Sequence, residues 1–373
     1  MPATWLDNPI GERPPYWLPQ DTGTTSIVLA ASCTARRNLD GLPFPAPGLP
    51  LETDREACTA LLDTLRRHPE LNLDLELNPL DLGTLQKCLV TYRAYAKPGF
   101  LHAPGQSRRL LVSNDGTDLC RINDRNHLTL VSFGPCAQLP LLAESLERRL
   151  AALEADQLRF ARHPYFGTLC AQAALCGTGA SATVCLNLPG LILADCHRQA
   201  TNAAGELGLR LAFDKENDAF ISHLVTVTAS NPPGATPAES AARLMAFARR
   251  LEHHELNARL RLTSGQQRLV CQDKVVRALS TLSSALLLST RETITALSLL
   301  WFGFETGLLA NLDAFRHRLL FPLLATCFCQ READQQLHGG NPPLSHQATR
   351  AKIIHSLLRR RDDASPEELP LLS

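Results

Sequence analysis

The chain has no net charge to speak of: 37 Lys and Arg stand against 37 Asp and Glu over 373 residues. A balanced surface offers no electrostatic footprint for nucleic acid or an anionic membrane, so neither is expected as a partner. The one short basic run, RRR at 359–361, is followed at once by Asp362 and Asp363 and reads as a solvated helix end. No apolar run is long enough to span a bilayer, and the opening MPATWLDNPIGERPPYW lacks the apolar centre of a signal peptide. A cytoplasmic location is therefore expected. CxxC is also missing: twelve cysteines are scattered singly, with Cys327 and Cys329 the nearest pair. Zinc and thioredoxin-like sites need tighter, repeated spacing, so no metal site is expected and the thiols read as small buried hydrophobes.

Three further absences narrow the chemistry. GTG at 177–179 has no Walker lysine after it and no GxGxxG around it, which leaves a turn as its plain reading. HHE at 253–255 lacks the i, i+4 histidine pair of a helical zinc protease and reads as a solvated helix face. FDKEND at 213–218 reads as a charged loop between strands.

What is present is a hydrophobic content of 45%, ample for a core, in a chain long enough for two domains. Residues 1–25 form a Pro-rich leader, and SIVLAA (26–31) reads as a buried strand. A helical pattern over 52–67 puts Ala57, Ala60, Leu61, Thr64 and Leu65 on one face. RRLLVS, the turn NDG at 114–116 and TDLCRI predict a hairpin, and after a second turn, NDRN, HLTLVSF continues as a third strand. A long amphipathic helix is predicted over 140–163, a Gly loop passing into a strand over 176–191, and strands over 207–213 and 219–230. From Pro237 onward the pattern is helical: 238–260, 273–289, 291–312, 312–329 and 346–360. Mixed strands and helices followed by helices alone predict an α+β class: an antiparallel sheet flanked by helices over 26–236, then an all-helical domain over 237–361. The acidic, Pro-containing tail, 362–373, is expected to be disordered.

Several stretches carry a resemblance. IVLAASCTARRNLDGLPFP (27–45) is similar to I-V-x-S-S-R-x-R-x-A-R-N-L-x-x-x-P-F-P, and INDRNHLTL (122–130) to I-N-E-E-D-H-L-R-I. FGTLCAQAALCGTGASATVCLNLPGL (166–191) is similar to G-x-L-T-x-C-P-T-N-x-G-T-G-x-R-A-S-V-x-x-H-L-P, and LRLAFDKENDAF matches more loosely R-G-x-x-G-E-x-x-E. These patterns belong to the ATP:guanidino phosphotransferases, and the chain resembles most the bacterial protein-arginine kinases among them. QDKVVRALSTLSSALLLSTRETITALSLLWFGFETGLL resembles the helical domain appended in those enzymes, and HQATRAKII (346–354) their R-D-x-x-R-A phosphoarginine-binding helix.

The resemblance implies transfer of the γ-phosphoryl of ATP to a guanidinium. Arginines would clamp the phosphates, magnesium would bridge them, and carboxylates with a cysteine would hold the guanidinium. The chain departs from this at most working positions. Ser32 and Thr34 replace two clamp arginines, while Arg37 and Asn38 persist. In the hairpin loop Asn123 and His127 persist and Asp124 keeps an acid, but Arg125 replaces the catalytic glutamate and Thr129 a clamp arginine. Gln172 takes the place of the cysteine, Ser181 that of the arginine after GTG, and Lys215 that of a substrate-binding glutamate; Arg210 matches a clamp arginine. In the receptor helix His346 and Gln347 replace Arg and Asp while Arg350 and Ala351 remain, and Trp301 falls where the pattern has arginine.

One phosphate-stabilising arginine is worth ~10³ to 10⁵ in rate in related systems. Arg125 opposes a guanidinium and cannot act as a base. The expectation is a catalytically degenerate homologue (pseudokinase) with no assigned catalytic residue, acting as scaffold or regulator in protein quality control. Its partners would be a chaperone, a protease or an active kinase homologue, and the family's helical domain suggests a homodimer. One alternative is an active protein-arginine kinase using ATP and Mg through a site rebuilt from Arg36, Arg37, Arg121 and Arg125, with Asp124 or Glu216 as base. The other is a phosphoarginine- or anion-binding module reading its ligand through Arg350.

Overall fold

Residues 28–37, VLAASCTARR, alternate between half-buried and buried side chains, the period-two pattern of a strand with one face on a core. This strand, β1 (Val28–Arg37), lies inside an eight-stranded sheet. The computed structural model describes residues 27–45, 51–83, 86–87, 90–91, 93, 95–102, 107–156, 158–216, 219–230, 234–309 and 342–359. The predicted leader, the 312–329 helix and the tail lie outside the described residues.

The other strands are β2 (Leu75–Leu77), β3 (Arg109–Val112), β4 (Asp118–Ile122), β5 (Leu128–Gly134), β8 (Ala180–Asn187), β9 (Leu209–Glu216) and β10 (Ala219–Ser230). Their order in the sheet is β2-β3-β4-β5-β1-β8-β10-β9, and every pairing is antiparallel. The predicted three-strand meander is present as β3-β4-β5. A two-stranded ribbon, β6 (Arg162–His163) with β7 (Gly167–Thr168), stands apart.

One face of the sheet is covered by α1 (Leu51–Arg66), α3 (Leu139–Ala155) and α6 (Pro237–Leu262), whose apolar stripes share a core with β1, β4, β5 and β8. In α1 the inward residues are Ala57, Cys58, Leu61, Leu62, Thr64 and Leu65; Ala60, expected on that face, is exposed. The helix predicted over 140–163 stops at Ala155 because the following residues are drawn into pairing with the end of β1. Ala161 N–H donates to Asn38 O at 2.7 Å and Asp40 N–H to Arg159 O at 2.9 Å. Burying Leu158 and Phe160 in this extended stretch outweighs continuing an amphipathic helix.

Among the described residues the other face is covered at its two ends. Leu77, Leu82, Val90, Tyr95 and Ala96, with Phe100 and Leu101 of the short α2 (Pro98–Leu101), seal a second core against Leu110, Val112, Leu119, Val131 and Phe133. At the opposite end, α7 (Gln267–Ser284), α8 (Thr290–Glu305) and α9 (Pro342–Arg359) form a helical unit whose core takes in Leu29 and touches Cys185 and Leu224. Capping boxes Thr236/Glu239 and Ser289/Glu292 start α6 and α8. Two short helices, α4 (Pro189–Leu193) and α5 (His197–Glu206), complete the chain between β8 and β9. The observed class is the expected one: an antiparallel sheet with flanking helices, then a helical C-terminal region. Among the described residues no helix is long and apolar enough to cross a membrane.

Candidate functional site

Between the two covered ends runs a strip of sheet whose residues follow from strand register. Side chains directly opposite in a ladder share a face. Arg36 lies opposite Thr129, Thr34 opposite Ser181 and Ser32 opposite Thr183. The row continues outward, with Ser181 opposite Ser230 and Thr183 opposite Thr228, whose Oγ1 atoms are 3.4 Å apart. Thr228 in turn lies opposite Arg210, and Thr129 opposite Arg121. The positions singled out as phosphate clamps (Ser32, Thr34, Thr129, Ser181 and Arg210) thus meet on one face. Four of them present hydroxyls; only Arg210 is cationic. Arg210 is exposed and three strands from β1, roughly 14 Å at ordinary strand spacing.

Arg36 occupies the middle of the vacated positions. Its Nη1 donates to Ser181 Oγ at 3.0 Å, and it lies two residues from Thr34 and across from Thr129. Burial, and next the neighbouring Arg121 guanidinium, pull the Arg36 pKa down to about 10. Arg121 is neutralised by Asp124 at 3.2 Å and donates to Tyr95 O at 2.8 Å. So the surviving acid of the hairpin loop is engaged by an arginine. Arg125 sits exposed on the hairpin turn, with no ion pair among the described residues.

Of the four arginines of the rebuilt-site alternative, Arg36 and Arg121 lie on the strip by register. Arg37 points to the opposite, helix-covered face, where it faces Glu147 at 3.5 Å and donates to the carbonyls of Arg36 and Thr178, both at 2.8 Å. This ties GTG to the end of β1. Gly179 takes a φ of +68°, and a Cβ there would meet Arg36 O at 2.5 Å. Gly177 N–H and O are both paired with Thr168, so this turn spends its backbone groups on structure.

The persisting polar residues have a structural task. Asn38, fully buried, receives the His127 N–H on Oδ1 at 2.9 Å and donates to Asn126 Oδ1 at 2.9 Å and Leu169 O at 3.1 Å. Asn126 Oδ1 also accepts from Ala171 N–H at 2.9 Å, and His127 Nδ1 accepts from Leu39 N–H at 3.0 Å. Asn123, at a φ of 55°, closes the turn by donating its N–H to His127 O at 3.0 Å. These side chains sew β1, the β4–β5 hairpin and the 169–171 loop together. Sequence reading had passed over Asn126.

Gln172 is exposed on its loop. Two thiols flank it: Cys170 is buried, and Cys176 Sγ lies 3.4 Å from the Cys170 nitrogen. Lys215 and Glu216 are placed by their backbone alone, opposite Phe220 and Ala219 at the end of the β9–β10 hairpin. Trp301 is buried in the helical core. Arg350 is also buried, at 2% exposure, and its Nη1 donates to Leu288 O at 2.7 Å. His346 and Gln347 are half-buried, and Gln347 O accepts from Leu288 N–H.

His253 and His254 are exposed, as a solvated face requires, but Glu255 beside them is fully buried. It accepts the N–H groups of Gly190 and Leu191 at 2.7 and 2.8 Å and is paired with Arg259 at 2.7 Å. Among the described residues no group of His, Cys, Asp and Glu could hold a metal ion.

Comparison with known proteins agrees with this architecture. Residues 73–258 match the family profile "ATP:guanido phosphotransferase, C-terminal catalytic domain", and 268–368 match "Protein-arginine kinase McsB C-terminal domain". Among curated relatives, the protein-arginine kinase of Symbiobacterium thermophilum is 27% identical over 349 residues, 92% of this chain and 96% of its own. That of Halothermothrix orenii is 24% identical over 354 residues, covering 95% and 99%. Among solved structures, lombricine kinase superposes with a TM-score of 0.52 at 18% identity, over 68% of this chain and 71% of its own. The substrate-free duplicated taurocyamine kinase of Schistosoma mansoni gives 0.53 at 15%, over 72% of this chain and 39% of that one. Such distant likenesses speak to the fold. With both profiles in sequence order and full-length relatives on either count, the chain belongs to the ATP:guanido phosphotransferase family and is a homologue of the protein-arginine kinases.

Proposed function

We propose that this chain is a non-transferring member of its family, a pseudokinase that works by binding rather than by phosphorylation. The observation that carries this reading is the chemistry of the strip. Its clamp positions converge on one face, yet Ser32, Thr34, Thr129 and Ser181 offer neutral hydroxyls where stabilising a migrating phosphoryl group calls for fixed positive charge. Asp124 is held by Arg121, so no unpaired described carboxylate remains in the loop to take a guanidinium proton. Arg125 would repel that guanidinium.

The work left to such a chain is that of a scaffold or regulator in protein quality control, with a chaperone, a protease or an active kinase homologue as partner. Homodimer formation and a cytoplasmic location belong to the same proposal. Reading phosphoarginine through Arg350 is disfavoured by its burial and its bond to Leu288 O. An active enzyme using ATP and magnesium remains the competing proposal, and transfer decides between them. Purified full-length chain is incubated with magnesium and γ-labelled ATP, an arginine-rich protein and free arginine. No acid-labile label above the protein-free blank is expected. Label that depends on the chain and is released by acid would overturn the pseudokinase reading.

A further inference from the structure

The loop over residues 169–176, on which Gln172 stands, carries two thiols that the proposed function leaves unused. Its neck is closed by two backbone hydrogen bonds, Thr168 N–H to Gly177 O at 2.8 Å and Gly177 N–H to Thr168 O at 3.0 Å. Cys170 and Cys176 lie just inside that neck. Cys176 Sγ is 3.4 Å from Cys170 N and 3.7 Å from Cys170 O. A sulfur this close to two backbone atoms of residue 170 holds the two Cα atoms within roughly 7 Å, the limit at which a disulfide closes without rebuilding the backbone. Residues 171–174 between them are exposed, so a small adjustment of the loop disturbs no core.

The two sulfurs differ in a way that sets their order of reaction. Cys170 is buried, and burial, with Cys176 next, pushes its thiol up to about 11. Cys176 is half-buried at the rim of the loop. An oxidant arriving from solvent therefore meets Cys176 first and leaves Cys170 as the second, resolving thiol.

We propose that Cys170 and Cys176 form a reversible redox pair, which a peroxide closes into a disulfide that staples the 169–176 loop. The Cys176 thiolate attacks one peroxide oxygen and breaks the O–O bond, giving a sulfenic acid and hydroxide, which takes up the proton that Cys176 had lost. The Cys170 sulfur then attacks Cys176 Sγ. The S–S bond forms as the S–O bond breaks, and the Cys170 proton leaves with the hydroxyl group as water. Two electrons pass from the thiols to the peroxide, and a dithiol returns them. The staple acts beside the strip. Leu169 O accepts from Asn38 and Ala171 N–H donates to Asn126, so both neighbours of Cys170 are anchored in the buried network. Closing the pair ties the far side of the loop, Gln172 included, to that anchor. This holds whether or not the chain transfers phosphate.

The test is site-resolved thiol mapping of the full-length protein before and after hydrogen peroxide, by alkylation and mass spectrometry. Cleavage after Leu175 separates the two cysteines unless a disulfide joins them. Alkylation of both is expected to fall at least about tenfold on oxidation and to return with dithiothreitol. Cys170→Ser should halt Cys176 at the sulfenic acid, trapped by dimedone, whereas Cys176→Ser should leave Cys170 reduced. Cys136→Ser, a half-buried thiol elsewhere, should leave the link unaltered. Elastase cleavage within 171–174 should be slower in the oxidised wild-type chain. Both thiols alkylating freely after peroxide, Cys176 joined instead to another cysteine, or an elastase rate unchanged by oxidation would each overturn the proposal. The wild-type mapping decides even where a serine variant fails to fold.

Discussion

At the residue scale, persistence and loss follow different physics. Asn38 and His127 are fixed by buried hydrogen bonds that nothing else in the chain can replace, whereas a clamp arginine facing solvent can become serine or threonine without disturbing the sheet. His127 gives this a measurable form. Its Nδ1 accepts the Leu39 N–H, so the proton sits on Nε2, where the Pro43 carbonyl receives it. Burial pulls its pKa down to about 4, against about 6.5 in an unfolded chain. The unfolded state therefore binds more protons in that interval. Its stabilising contribution is complete above pH 6.5 and is lost as pH falls toward 4, at roughly 1.4 kcal/mol per pH unit. Denaturant unfolding of His127→Gln between pH 4 and 7 should show an acid slope shallower by about that amount, together with a lower stability at pH 7. An unchanged slope would mean that His127 is not held neutral. None of this is visible in INDRNHLTL read alone, because the partners Leu39 and Asn38 are almost ninety residues away.

At the element scale, the sequence was most informative where one period governed a whole segment. The β3-β4-β5 meander, with its NDG turn, could be read directly, since alternation and turn chemistry are local rules. The end of α3 could not, because pairing of residues 159–161 with the end of β1 is a long-range event. Glu255 lies between these cases. HHE reads as a polar helix face, yet the inward stripe Leu244, Ala248, Leu251, Glu255, Ala258 and Leu262 runs at steps of three and four straight through it, and that spacing was the available signal. Its carboxylate caps α4, whose own first residues supply no cap, and Gly190 is needed there because a Cβ would meet Glu255 Oε1 at 2.9 Å. Burial pushes this carboxyl up, and Arg259 with the two backbone N–H groups opposes it. Glu255→Ala would leave two buried donors unmet and Arg259 with Glu305 alone. A loss of about 3 kcal/mol in unfolding free energy is expected. A loss below about 1 kcal/mol would show that water or a shift of α4 replaces the cap.

At the scale of the whole molecule, the switch to helix at residue 237 is not matched by a gap in packing. α6 contributes Ala241, Leu244, Phe247 and Leu251 to the core beneath the sheet, and its last residue, Leu262, already belongs to the helical core. The two cores are further joined by a buried relay. Ser298 on α8 donates to Asn187 Oδ1 at 2.6 Å, so the 3.0 Å contact with His223 must be Nδ1–H donating to Ser298 Oγ. Asn187 and His223 belong to β8 and β10, and all three side chains are buried. Composition could announce the change of class but not this coupling, which depends on a serine unremarkable in an apolar run. Its removal predicts how the molecule unfolds. Ser298→Ala strands one acceptor on Asn187 and one donor on His223, at a cost of about 2 kcal/mol. Because the relay spans both units, the loss should move a single cooperative transition observed equally by sheet and helix signals. If the helical signal alone shifts and the sheet melts where it did before, the two units are energetically independent and the relay does not couple them.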